Sequence, residues 1–165
     1  MDIFGNRFDI FKARPKAAGI VVQDIGADGK LRTYISAYNR VGTVLLKGQP
    51  VTIDYAVTYM VTAIANATTG SEVYKQTGGA LKVTQINELW WFQIGGPGKG
   101  LVDGTSADVS ATEALEVINA GTAWIKAGTA RDLSTGAIAL AAQAANSAVL
   151  VDILYINERH SIEAA

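Results

Sequence analysis

The chain has 165 residues and a mass of 17.3 kDa, enough for one domain that buries about 70% of its unfolded surface without help from a disulfide or a metal. It has no Cys and a single His, His160, which excludes a disulfide scaffold, a thiolate metal site, a catalytic thiol and a His-cluster metal centre. A formal net charge of −1 with 18% charged residues is too neutral for nucleic-acid binding by counterion release or for a polybasic membrane anchor.

Residues 1–18 differ from the rest and are expected to form an N-terminal arm. They hold three of the four Phe, and Phe4, Phe8 and Phe11 have the i, i+4, i+7 spacing of one helical face. Arg7 lies among them and Arg14 follows, Gly5 weakens a helix and Pro15 stops one. The stripe either folds back on its own core or anchors on a partner. No apolar run in the first residues reads as a signal peptide.

From Gly19 the texture is β. Ile20–Ile25 and Leu31–Tyr38 flank Asp28-Gly29, a hairpin signal. Val44-Leu45-Leu46 is a short apolar run before a turn at 47–50. Residues 51–62 alternate apolar and polar without a break, which predicts one long half-buried strand with a bend, a bulge or a passage beyond the domain body. Segments 71–77 and 80–86 flank Gly78-Gly79 and read as a second hairpin. Leu89–Ile94 is a strand in which adjacent Trp90 and Trp91 point to opposite faces, so one is expected near the surface or an interface. Gly95–Gly100 reads as a tight loop. Leu115–Ile118, Ala137–Ala142 and Val149–Ile156 complete the strands, and Thr112–Leu115 is a candidate helical turn. Gln143, Asn146, Ser147 and Asp152 interrupt 137–156 too often for a membrane span. No repeat of 20–50 residues is visible. The prediction is an all-β fold, an antiparallel β-sandwich or small β-barrel, with 1–18 as the arm and 19–165 as one β-rich domain.

No motif carries chemistry. The glycine loop lacks the P-loop spacing and no helix follows it. Asp24, Asp28, Asp103 and Asp108 fit turns better than a calcium loop. His160 lies in a polar tail and no Gly-x-Ser-x-Gly elbow exists. Asp152 shares a strand face with Leu150, Leu154 and Ile156, so it needs a partner, such as Arg131 or Arg159, or water. Asn66-Ala67-Thr68 is a chance sequon without a secretory signal. No enzyme activity, cofactor or metal is expected.

Several pieces recur in a familiar order. These are residues 41–51, Trp91-Phe92-Gln93-Ile94-Gly95-Gly96, Leu101-Val102-Asp103-Gly104-Thr105, Glu113–Val117, Ala137–Ala144 and Glu158-Arg159-His160. Their order resembles the small β-rich head decoration (capsid cement) proteins of tailed bacteriophages. This chain has Glu113 where that family usually has Gly, and residues 66–88 look inserted. The resemblance implies a virion protein, made in the host cytoplasm, that sits on the outside of the major capsid protein shell as a homotrimer and stabilises it. The Phe-rich start is not a mark of that family; on the chain's own pattern, Phe4, Arg7, Phe8, Phe11, Arg14, Trp90 and Trp91 are the expected capsid or subunit contacts, and no nucleic-acid or membrane partner is expected. Burying three Phe gives roughly 4.5–9 kcal/mol, whereas ordering the arm costs roughly 1–2 kcal/mol per residue. Tight attachment would therefore need the avidity of several subunits. The alternatives are a β-sandwich module of a phage tail or fibre with an exposed Trp stacking on host glycans, and a tail-tube or head-completion protein.

Overall fold

The computed structural model describes residues 13–54, 60–62, 75–105, 107–116, 122–127, 136–144 and 147–156. They form ten strands and no helix: β1 (Val21–Ile25), β2 (Leu31–Asn39), β3 (Pro50–Asp54), β4 (Met60–Thr62), β5 (Lys75–Ala80), β6 (Leu89–Asp103), β7 (Ala114–Glu116), β8 (Ile125–Lys126), β9 (Ala137–Ala139) and β10 (Ala148–Tyr155). The all-β class expected from the sequence is the class observed.

The strands close into two small barrels. In the first, β2 pairs antiparallel with β6 and parallel with β4. β3 then pairs with β4 and β5, and β5 pairs with β6, which completes the circuit. Ile35, Leu45, Val51, Ile53, Phe92 and Ile94 fill its interior. In the second, β6 pairs with β10, β10 with β9, β9 with β7 and β7 with β8. A parallel bridge from Val102 to Trp124 closes that circuit, with Trp124 N donating to Leu101 O at 2.7 Å and Asp103 N to Trp124 O at 2.8 Å. Val102, Val109, Leu115, Trp124, Ile153 and Tyr155 form its core. Closure pairs the strand edges within each circuit, which limits the aggregation hazard of open sheets. β1 lies outside the circuit, hairpinned onto β2 through Asp28-Gly29 as the sequence predicted.

One strand serves both barrels. β6 pairs with β2 from Leu89 to Gly95 and with β10 from Gly96 to Asp103. It changes barrel at a bulge, where Gln93 and Gly95 face consecutive β2 residues and Ile94 is extra. The bend exposes backbone acceptors, and the Gln93 side-chain amide takes the carbonyls of Gly95, Gly96 and Pro97. Gly95–Gly100 is therefore strand, not the tight loop the composition implied. Added Cβ atoms would lie 2.3 Å from the Gln93 side chain at Gly98 and 2.3 Å from Ile153 at Gly100. The glycines permit close packing where the barrels meet.

Three other readings are corrected. Gly78-Gly79 is not a hairpin turn but part of β5, where a Cβ would collide with Gln93 O or Tyr155. The stretch 51–62 is two antiparallel strands, with Asp54 opposite Met60. Both are even positions, so the sequence alternation runs through the reversal unbroken. Thr112–Leu115 is a turn running into β7, not a helical turn.

The barrels repeat one design. The bridge Leu45–Thr84 has its counterpart in Val109–Gln143, and Gly48 N to Ala80 O matches Thr112 N to Ala139 O. The Gln49 side chain accepts from Leu46 N, and Glu113 accepts from Ser110 N. The Asn39 side chain accepts from Val41 N, and Asp103 from Thr105 N. The offset is 64 residues before the middle of each barrel (45 to 109) and 59 after it (84 to 143). Both values lie above the 20–50-residue periods in which the sequence shows no repeat.

Candidate functional site

A cleft of about 300 Å³ opens where the barrels join, lined by Asp24, Arg32, Tyr34, Lys47, Gln93 and Lys99 among others. Its cations are largely engaged. The Arg32 fork grips Asp28 through both oxygens at 2.9 and 2.8 Å, and its Nε donates to Pro97 O at 2.8 Å. The Arg32 hydrogen bond holds the Asp28 carboxyl well below the usual range. Lys99 pairs with Asp152 at 2.8 Å. Burial raises the Tyr34 phenol. The arrangement braces the β1–β2 hairpin against β6 and leaves the walls close to neutral. Among the described residues no group of three His, Asp or Glu gathers to hold a metal. No helix there is long and apolar enough to cross a membrane.

Asp152 behaves as one of its two expected options. Val151, Ile153 and Tyr155 point inward, so Asp152 stands on the wet outer face with Leu150. Its partner is Lys99, one strand away, rather than Arg131 or Arg159, which lie outside the described residues. Asp103 makes the local turn expected of it, accepting from Thr105 N and Oγ1.

The Trp expectation is corrected. Trp90 and Trp91 are both buried, at 6% and 2% exposure, so neither offers a stacking platform at the surface. Trp90 shares the inward parity of Phe92 and carries the Lys82 ammonium 3.7 Å above its ring. Trp91 faces outward, but residues 13–20 lie across that side. Trp91 Nε1 donates to Ala13 O at 2.8 Å, Ser36 Oγ to Ala17 O at 2.7 Å, and Gly19 N to Ser36 O at 2.8 Å. The described end of the arm thus lies on its own barrel. Arg14 is exposed there, while Phe4, Arg7, Phe8, Phe11 and His160 fall outside the described residues.

What the surface offers instead is apolar. Val21, Ile25 and Leu31 lie exposed on the β1–β2 hairpin, where Ile25 and Leu31 are register partners. Leu140, Val149 and Leu150 do so on the second barrel, and Val44, Leu46, Val83 and Ile86 at one end of the first. Single exposed apolar residues are ordinary, but grouped ones mark contact surfaces. Sequence reading missed these groups because it took their strands to be buried on the apolar side.

No protein-family model matches the chain, and no curated protein is similar to it. Among solved structures, it is similar to "The crystal structure of head fiber gp8.5 N base in bacteriophage phi29". The two share 11% identity over 88% of this chain and 100% of that one, with a TM-score of 0.48. A likeness at that level carries no argument about function.

Proposed function

We propose that this chain is a non-enzymatic structural protein of a phage head, which binds the outer surface of the major capsid shell and stabilises it as a homotrimer. The observation that carries the reading is the grouped apolar surface of Val21, Ile25 and Leu31 on the β1–β2 hairpin, beside the open edge of β1. A closed pair of barrels needs none of these side chains for its own core, so they serve contacts with sister subunits and a shell. The resemblance of the sequence to head decoration proteins supports the same reading. The sugar-stacking platform that an exposed Trp would have lent the fibre alternative is missing, since Trp90 and Trp91 are both buried.

Co-sedimentation with expanded, emptied capsids and light scattering of the free chain test the proposal. Saturable binding by a trimer is expected. Replacing Val21, Ile25 and Leu31 together by Ser should lower capsid occupancy at least tenfold while the fold persists. A well-folded monomer without affinity for capsids would overturn the reading.

A further inference from the structure

We infer that the ridge formed by Val44, Leu46, Val83 and Ile86 is the docking site of the chain's own first twelve residues. The repeat supplies an internal control. Leu45 and Thr84 bond to each other twice at 3.0 Å and point inward, which turns their neighbours Val44, Leu46 and Val83 outward. Leu46 lies opposite Val83 in that register, and Ile86 follows at the next turn. All four are 41–51% exposed.

The second barrel builds the same ridge on the same hydrogen bonds, Val109 to Gln143, at 2.9 and 2.8 Å. There the corresponding described positions are Asp108, Ser110 and Ala142. One backbone design therefore tolerates polar and small residues at three of the four sites. Its large apolar residues in the first barrel are not required by the barrel and answer to something that covers them.

The chain's course names the occupant. Residues 13–20 cross the outer side of the first barrel at one rung, from Gly19 and Ala17 on Ser36 of β2 to Ala13 on Trp91 of β6. Ala13 O is held by Trp91, three residues beyond Glu88, whose carboxylate caps Gln85 N and pairs with Lys82. Arg14 lies near enough to help hold Glu88 down in pKa, against a larger upward pull from burial. Ala13, the first described residue, thus lies near the start of β6, which leads back to the ridge residues Val83 and Ile86. The twelve residues before it reach roughly 40 Å when extended, ample to cross the ridge. They carry Ile3, Phe4, Phe8, Ile10 and Phe11, a matching apolar complement.

The absence of native Cys makes a clean test possible. In the full chain, Phe4→Cys, Phe8→Cys and Phe11→Cys are each combined with Val83→Cys, and separately with Ala142→Cys on the second barrel. After mild oxidation, at least one Val83 pair should lose its free thiols while migrating as a single chain, at least tenfold faster than every Ala142 pair. Disulfide-linked dimers from the Val83 pairs, equal rates with Ala142, or no bond at Val83 would each overturn the proposal. A second measurement is independent of disulfide geometry. Deleting residues 1–12 should raise binding of an apolar dye severalfold, and Val44→Asp, Leu46→Ser, Val83→Ala and Ile86→Ala together should abolish that rise. A rise that survives these changes places the arm elsewhere.

Discussion

Gly79→Ala is the sharpest probe of how the two barrels fit together. Gly79 lies in β5 of the first barrel, and a methyl carbon there would sit 2.0 Å from the Tyr155 hydroxyl oxygen and 2.7 Å from Cζ. Ordinary heavy-atom contacts are about 3.5–4.0 Å, so the ring must withdraw by more than about 1 Å. It has little room. Tyr155 is 3% exposed, its ring meets Trp124 edge-on with centroids 6.0 Å apart, and its hydroxyl donates to Lys99 O at 2.8 Å. Burial also keeps the phenol un-ionised, its pKa pushed far up. Overpacking of this kind costs about 1–3 kcal/mol, and pulling the hydroxyl off its acceptor adds about 1–3 kcal/mol. The expected loss is about 4 kcal/mol, read as a lower denaturant midpoint at unchanged slope. Tyr155→Phe removes the nearest clashing atom and alone should cost about 1–2 kcal/mol. The double variant should then be less destabilised than the two singles together by at least about 1 kcal/mol. Strict additivity, or a Gly79→Ala variant within about 0.5 kcal/mol of the parent, would refute the packing argument.

The matched turn positions give a second test. Gly48 has φ 76° and its Cβ would meet Leu101 N at 2.6 Å, whereas the counterpart Thr112 adopts φ 72° with a branched side chain. Gly48→Ala should lose about 2–4 kcal/mol from clash and backbone strain together, and Thr112→Gly should gain about 1 kcal/mol by releasing strain; denaturant midpoints decide both, and the opposite sign at either position refutes the argument. Acid should also unfold the chain in a defined window. The Arg32 bond lowers Asp28, the Lys126 and Ser110 bonds lower Glu113, and the Thr105 bonds lower Asp103. A carboxyl depressed in the folded state stabilises it above the unfolded value and loses that contribution as pH falls through the folded one. The melting temperature should hold from about pH 7 to 5 and fall below about pH 4, and Glu113→Gln should shallow that fall. An unchanged profile in Glu113→Gln would show that this pair contributes nothing.

Much of the strand pattern was legible because turn chemistry marks it. Asp28-Gly29 predicts the β1–β2 hairpin, and the apolar runs at 20–25, 31–38 and 149–156 become strands nearly at their predicted limits. Glycine misled twice. At 78–79 and 95–100 it permits close backbone approach inside strands, and a single sequence writes that need with the same letter as a turn. The repeat was illegible for a different reason. No residue of 37–53 is identical to its counterpart in 101–117, because hydrogen bonds fix the geometry and Gln49 or Glu113 serves equally as acceptor. Trp91 was misjudged because its cover comes from residues 13–20, a contact some 78 residues away in sequence. The exposed groups at Val44 and Val83 were hidden in short apolar runs whose outward members only the register identifies.

The sharing of β6 also sets an order on synthesis. Once residue 95 has left the ribosome, every strand of the first barrel is present and it can close. The rest of β6 then waits with a bare edge until β10 emerges, ending at Tyr155, close to the end of the chain. Through that interval the nascent chain carries a finished barrel and one unpaired strand, the state most open to pairing with a neighbouring chain. Pro97 and the three glycines at 96, 98 and 100 occupy that waiting stretch. They are residues poorly suited to intermolecular sheet, so the same composition that lets two barrels pack closely also guards the strand before its partner arrives.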